Sequence, residues 1–174
     1  MEAMKAHFSM FAAYNRWANE RLYEAAAPIP DADYRADRGA FFGSLHGTLN
    51  HLLVGDRIWM GRFSGQASGH TRLDEIAYDT LPALAAARRD EDERIIAYVD
   101  NLTDAEIAAR FTYRTITSPA DVTQPRRSAL AHFFNHQTHH RGQAHCLLTI
   151  AGGHDAAPSL DLILFQRQTG VGMG

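Results

Sequence analysis

Four of the chain's ten histidines fall in the segment Ala131-His-Phe-Phe-Asn-His-Gln-Thr-His-His-Arg-Gly-Gln143. Within it His136 and His140 stand four residues apart, a spacing that stacks two imidazoles on one helical face, so that both can grip one metal ion. A third nitrogen has to come from another helix. His51 is the candidate, because Thr48 one turn before it and Gly55 one turn after it are small. His51 also lies beside an apolar stripe, where a buried imidazole needs a partner, either a metal or an oxygen of the fold. His132 sits one turn before His136, and His139 lies about 60° to the other side of the helix. Either is an alternative ligand, and His132 also suits a position just outside the ligand set. Asp56 could hold the free nitrogen of a ligating imidazole, or pair with an arginine. Asn15 could face the same place, or fix helix register as a lone polar residue in a seam. His7, His46, His70, His145 and His154 have no comparable setting. Cys146 lies about 120° around the helix from His140, away from the pair.

Three neutral imidazoles leave at least one coordination position open, the arrangement of catalytic rather than structural zinc sites. A metal held in this way polarises an oxygen, or lowers the pKa of a bound water or thiol. Imidazole suits several divalent ions. Zinc and nickel are expected first, with iron, manganese and copper as further options.

The elements that must position these residues are helical. Met4, Phe8, Phe11, Asn15, Ala18, Leu22 and Ala25 follow steps of four and three, and Pro28 and Pro30 stop that helix. An irregular link is expected over Asp31 to Gly39. A second helix begins near Ser44, with Leu45, Leu49, Leu52, Asp56, Trp59 and Phe63 as its stripe, and ends at Ser64-Gly-Gln-Ala-Ser-Gly69. Leu81 to Val99 reads as a third helix with Leu84, Ile95, Tyr98 and Val99 inward and the charge run Arg88 to Arg94 largely solvated. Leu102 to Glu106 has the look of a capped short turn, with Thr103 or Asp104 accepting from free amides. Phe111 to Thr117 alternates apolar and polar residues, which suggests a short strand or extended arm before Ser118-Pro119. The last long helix runs from about Pro125 to Ala151 and stops at Gly152-Gly153. Leu160 to Phe165 suggests a short terminal helix. The expected fold is an all-α four-helix bundle, one domain over residues 1–174, with the arm before the last long helix and a short helix at the C-terminus.

Composition narrows the partners. With 174 residues, 45% of them apolar, the chain can fill one core. A net charge of −3 with mixed signs offers no cationic face for a phosphate backbone, so nucleic acid is not an expected partner. No stretch reaches the roughly 20 apolar residues of a membrane helix. The opening Met-Glu-Ala-Met-Lys-Ala-His lacks the pattern of an export signal, and a single cysteine suits a reducing compartment. A cytoplasmic protein without membrane contact is expected.

His136-Gln-Thr-His-His-Arg-Gly-Gln143, together with Thr48-Leu-Asn-His-Leu-Leu-Val54 and Tyr14-Asn-Arg-Trp-Ala-Asn-Glu-Arg-Leu22, resembles the DinB family of metal-binding four-helix bundles. Gly43-Ser-Leu-His-Gly47, Asp56-Arg-Ile-Trp59 and Leu160-Asp-Leu-Ile-Leu-Phe165 extend the likeness over nearly the whole chain. The resemblance implies a divalent-metal site made by one histidine of the second helix and a His-x-x-x-His pair of the last, positions that fall on His51, His136 and His140. It also implies relatives that act as thiol-dependent transferases, or as an isomerase, with bacillithiol, mycothiol or glutathione. A homodimer follows from the same likeness, with Trp17 and Phe63 as apolar residues that could meet across a two-fold axis.

The preferred expectation is a metal-dependent thiol S-transferase acting on a small electrophilic molecule. A metal-dependent hydrolase is the alternative, weakened because His136 is followed by Gln137 where the zinc-protease helix has its glutamate. His132, His139 or Asp56 would then have to serve as base. A noncatalytic metal-binding or ligand-binding bundle is the third reading. Asn15, Thr48, Trp59, Phe133 and the Phe111 to Thr117 arm are the expected determinants of pocket shape.

Overall fold

Residues 2–116 and 120–174 are described in the computed structural model, with side chains from Met4 onward. The Thr117 end of the expected arm and the Ser118-Pro119 turn signal lie outside the described residues. Four long helices carry the apolar seams: α1 (Glu2–Ala26), α3 (Leu45–Ser64), α4 (Leu81–Asn101) and α6 (Arg126–Gly152). Shorter helices are α2 (Asp31–Arg35), α5 (Asp104–Ala108) and α7 (Leu162–Thr169), with a 3-10 turn at His154–Ala156. The irregular link expected after Pro30 therefore contains a helical turn, α2, because Tyr34 buries its ring against His46 at 5.2 Å and holds the segment down. Ser44 caps α3 by accepting from the Gly47 amide, and Gly65 ends it in the left-handed conformation, φ 71°. Thr103 and Glu106 form a complete capping box at α5. The extended arm is half of an antiparallel hairpin, β1 (Arg110–Arg114) with β2 (Asp121–Pro125), in the register Thr112 opposite Thr123. The terminal helix starts at Leu162 and runs on to Thr169.

The packing fixes the helix directions. One apolar cluster joins Phe8 of α1, Trp59 and Phe63 of α3, Ile95 and Val99 of α4, and Leu130 and Phe133 of α6. A second joins Leu22, Leu49, Leu53, Leu84, Ala144 and Leu148. So α1 and α6 start at the first cluster, whereas α3 and α4 end there, giving an up-down-down-up order. Each of α1 and α3 packs on both α4 and α6. Because α3 and α4 run in the same direction, residues 65–80 must cross back along the bundle, and this crossing carries Leu73 over the middle of α3.

Between the clusters lies a polar layer to which every long helix contributes. Asp56 of α3 accepts from Arg88 Nη1 of α4 at 2.5 Å and from Gln137 Nε2 of α6 at 2.8 Å. Arg88 Nη2 lies 3.0 Å from Asp92 Oδ1. Asp92 accepts from Asn15 and Asn19 of α1, each at 3.0 Å, and Arg141 of α6 donates to Asn15. Two arginines balance two carboxylates. Here the structure corrects part of the expectation of a largely solvated Arg88 to Arg94 run: Arg89, Asp90, Glu93 and Arg94 are exposed, but Arg88, Glu91 and Asp92 are buried. They occupy the Leu84, Arg88, Glu91, Ile95 seam, so burying the apolar ends of that face necessarily buries its charges. Burial pushes the Asp92 carboxyl up to about 6 against the pull of Arg88. Phe63, expected to be an exposed dimer contact, is core at 6% exposure. Trp17 is half-buried and packs on Tyr14 and Phe165.

Candidate metal centre

His51 reaches inward from the middle of α3, and His136 and His140 meet it from α6. One nitrogen from each lies within 4.8 Å of the others, and among the described residues this is the one group of three such side chains placed to share an ion. The rings pack at centroid distances of 4.4 Å for His51 and His140, 4.4 Å for His136 and His140, and 5.3 Å for His51 and His136.

The hydrogen bonds fix the tautomers. His51 Nδ1 is 2.7 Å from the Leu73 carbonyl oxygen, an acceptor, so that nitrogen carries the proton. His140 Nδ1 is 2.8 Å from Gln143 Oε1 and donates likewise. Their bare Nε2 lone pairs then face each other at 3.2 Å. Two lone pairs at that distance repel unless a cation or a proton lies between them. A proton is disfavoured: desolvation by burial lowers the His51 pKa to about 4 and the His136 pKa to about 3, and lowers that of His140. A divalent ion fits the spacing, since nitrogens held at about 2.0–2.1 Å in a tetrahedral site lie roughly 3.3 Å apart. His136 Nδ1 is also buried without a hydrogen-bond partner. The residues present therefore suit a divalent cation, with one carbonyl and one amide oxygen orienting two of the rings as metal-bound histidines require.

Close approach of backbone makes room for the rings. A Cβ on Gly55 would stand 3.1 Å from His136 Cε1, and one on Gly47 would stand 2.2 Å from the Phe42 carbonyl oxygen. Gly47 thus lets the loop before α3 press inward, where the Phe42 ring stacks on His51 at 3.7 Å and meets His140 edge-on at 5.5 Å. Alanine at Gly55 should raise the stability of the metal-free protein by up to about 1 kcal/mol through helix propensity. By displacing His136 it should weaken metal binding about tenfold. Valine there should weaken it further. Competition against a chromophoric chelator and metal-free melting curves separate the two effects, and unchanged affinity in both variants would show that the glycine gap has no role in the site.

His132 and His139 are not drawn into the cluster. His132 lies at the rim, its ring 5.0 Å from Trp59 and 5.8 Å from His136. His139 is exposed, its Nε2 3.3 Å from the Gln143 amide nitrogen. Asp56 and Asn15 bond no imidazole: both are tied into the polar layer, and Asp56 acts next to the centre only through Gln137, the neighbour of His136. His46 and His145 bond the carbonyl oxygens of Tyr78 and Pro158, and His70 lies 3.0 Å from Glu75, all away from the centre.

A cavity of about 300 Å³ opens beside the centre, lined by His132, His136, Gly55, Trp59, Arg62 and Leu73, with Tyr113, Thr115 and Ile116 of the arm closing it. Trp59 and the arm line it as expected, whereas Asn15, Thr48 and Phe133 do not. Leu73, Phe42, Gln143 and Arg62 were not singled out by the sequence. Only the i, i+3 spacing of His140 and Gln143 carried a signal for any of them.

Residues 4–170 match the profile of the DinB family. The protein named Protein DinB from Bacillus subtilis (strain 168) is 25% identical over 171 residues, an alignment covering 90% of this chain and 92% of that protein. No solved structure matches the chain.

Proposed function

The chain belongs to the DinB family, and from that premise we propose that it is a divalent-metal enzyme of the thiol S-transferase type, acting on small electrophilic molecules. The observation that carries this reading is the pair of bare Nε2 atoms of His51 and His140, 3.2 Å apart beside His136, whose ring lines a cavity of small-molecule size. Zinc or nickel is the proposed ion.

When bound, such an ion supplies Lewis acidity that favours the thiolate over the thiol at neutral pH. The chain does the rest. His51 is held in place by Leu73, His140 by Gln143, and His136 by the space that Gly55 leaves. Phe42 covers His51 and excludes water from that side. Trp59, Ile116 and Tyr113 wall the cavity in which the electrophilic carbon would lie against the sulfur. A C–S bond forms as the bond to the leaving group breaks; the leaving group departs with that electron pair, and the thiol proton passes to solvent.

Hydrolysis is the weaker reading, because among the described residues no aspartate or glutamate lines the cavity. Asp56, the carboxylate considered as a base, is occupied at both oxygens by Gln137 and Arg88 and cannot serve as base to a water in the cavity.

The test is conjugation of 1-chloro-2,4-dinitrobenzene with glutathione, cysteine and 2-mercaptoethanol by the metal-loaded protein. Turnover should disappear on chelation, return with zinc or nickel, and be absent from His136→Ala. A His136→Ala protein that has lost its metal yet conjugates at the wild-type rate would end the reading, and turnover with no thiol in a panel of esters instead would favour the hydrolase.

A further inference from the structure

Arg62 is a cation that neither the polar layer nor the histidine centre uses. It stands three turns beyond His51 on α3, its guanidinium carbon 4.5 Å from the centroid of Trp59 and 5.0 Å from that of Tyr113. The two rings hold the group by cation–π attraction and leave its N–H edge unengaged. Among the described residues Arg62 makes no hydrogen bond and no ion pair. In that it differs from Arg16, Arg35, Arg38, Arg72, Arg88 and Arg114, each of which has a carboxylate.

Its position gives the unpaired edge a use. Arg62 lines both the cavity beside His136 and an adjoining groove of about 470 Å³ under residues 65–71 and the β-hairpin. Among the described residues neither is lined by an aspartate or a glutamate. The other arginine of the groove is already paired, Arg114 with Asp121 at 3.2 Å, and His70 lies 3.0 Å from Glu75. Arg62 is half-buried, and desolvation pulls its pKa below the ordinary value. A desolvated cation without an anion is costly unless a ligand supplies one.

We propose that Arg62 is the carboxylate-binding residue of this cavity, so that the small molecule reaching His51, His136 and His140 is an organic acid held by the guanidinium edge. A single free guanidinium matches one planar carboxylate through two parallel N–H···O bonds. The proposal deepens the transferase reading and rests on it for what the far end of the ligand does, but the anion site itself stands on Arg62 alone.

The test compares an acid with its neutral amide. Zinc-loaded wild type, Arg62→Gln and Arg62→Met are titrated calorimetrically with 3-mercaptopropionate and 3-mercaptopropanamide, after zinc per chain and helicity have been measured. The metal-free proteins are titrated with 3-phenylpropionate and 3-phenylpropanamide. Wild type should bind each acid about tenfold or more tightly than its amide. In both variants the ratio should fall to about one, with zinc content unchanged. Acid preference in the metal-free arm together with no zinc uptake would keep the anion site and remove the metal reading. Equal binding of acid and amide by wild type, or a preference that survives in either folded variant, overturns the proposal.

Discussion

Alanine in place of His51, His136 or His140 should reduce bound divalent metal from about one ion per chain to none after dialysis, because two imidazoles without the third lose at least the roughly 10–100-fold that even an orienting partner contributes. Elemental analysis reads this directly. The stability effect should be equally large. At an ion concentration a thousand times its Kd, binding stabilises the folded chain by about 4 kcal/mol. For a chain of this length that corresponds to a Tm difference of roughly 8–16 °C between loaded wild type and variant. Without metal the difference should nearly vanish, or reverse for His140→Ala, which removes one of two opposed lone pairs. A folded His140→Ala protein that keeps its metal would show that the ion lies elsewhere.

Asp56→Ala should be the most destabilising single change in the polar layer. Arg88 is 2% exposed and Asp56 1%, so removing the carboxylate strands a buried guanidinium whose remaining partner, Asp92, also serves Asn15 and Asn19. Breaking a buried pair in this way costs about 3–5 kcal/mol, a fall in Tm of roughly 6–20 °C. Adding Arg88→Met should restore part of the loss, since the stranded charge goes with it, and the double-mutant cycle measures that coupling. Metal content at saturating zinc should stay at the wild-type level, because Asp56 bonds none of the three imidazoles. A loss below about 1 kcal/mol on urea unfolding would mean that Arg88 finds water, and that the layer is wetter than its burial indicates.

The polar layer also explains how α6 presents its histidines. Gln137 and Arg141 anchor one face of α6 to α3 and α1, and the angular offset between that face and His136 and His140 turns the imidazoles toward α3. Sliding α6 by one turn would break the Gln137 and Arg141 bonds together, so the layer sets helix register as well as rotation.

The family and the helical class were legible in the sequence because both are local: steps of three and four recur in every long helix, and the His136, His140 spacing needs only one helix to put two rings on one face. Ser44, Thr103 and Gly153 mark element ends through their own backbone chemistry. The buried part of the Arg88 to Arg94 run, Arg88, Glu91 and Asp92, escapes the pattern for a related reason. A seam that carries charge looks like a solvated face until the carboxylate that neutralises it is known, and Asp56 comes from another helix. Only the tertiary structure could bring His51 to within 3.2 Å of His140, lay Leu73 and Phe42 on His51, and leave Arg62 between two rings without a counter-ion. Each of those facts joins residues far apart in the chain, and no periodicity within one element encodes how a crossing loop, a hairpin and two helices will meet.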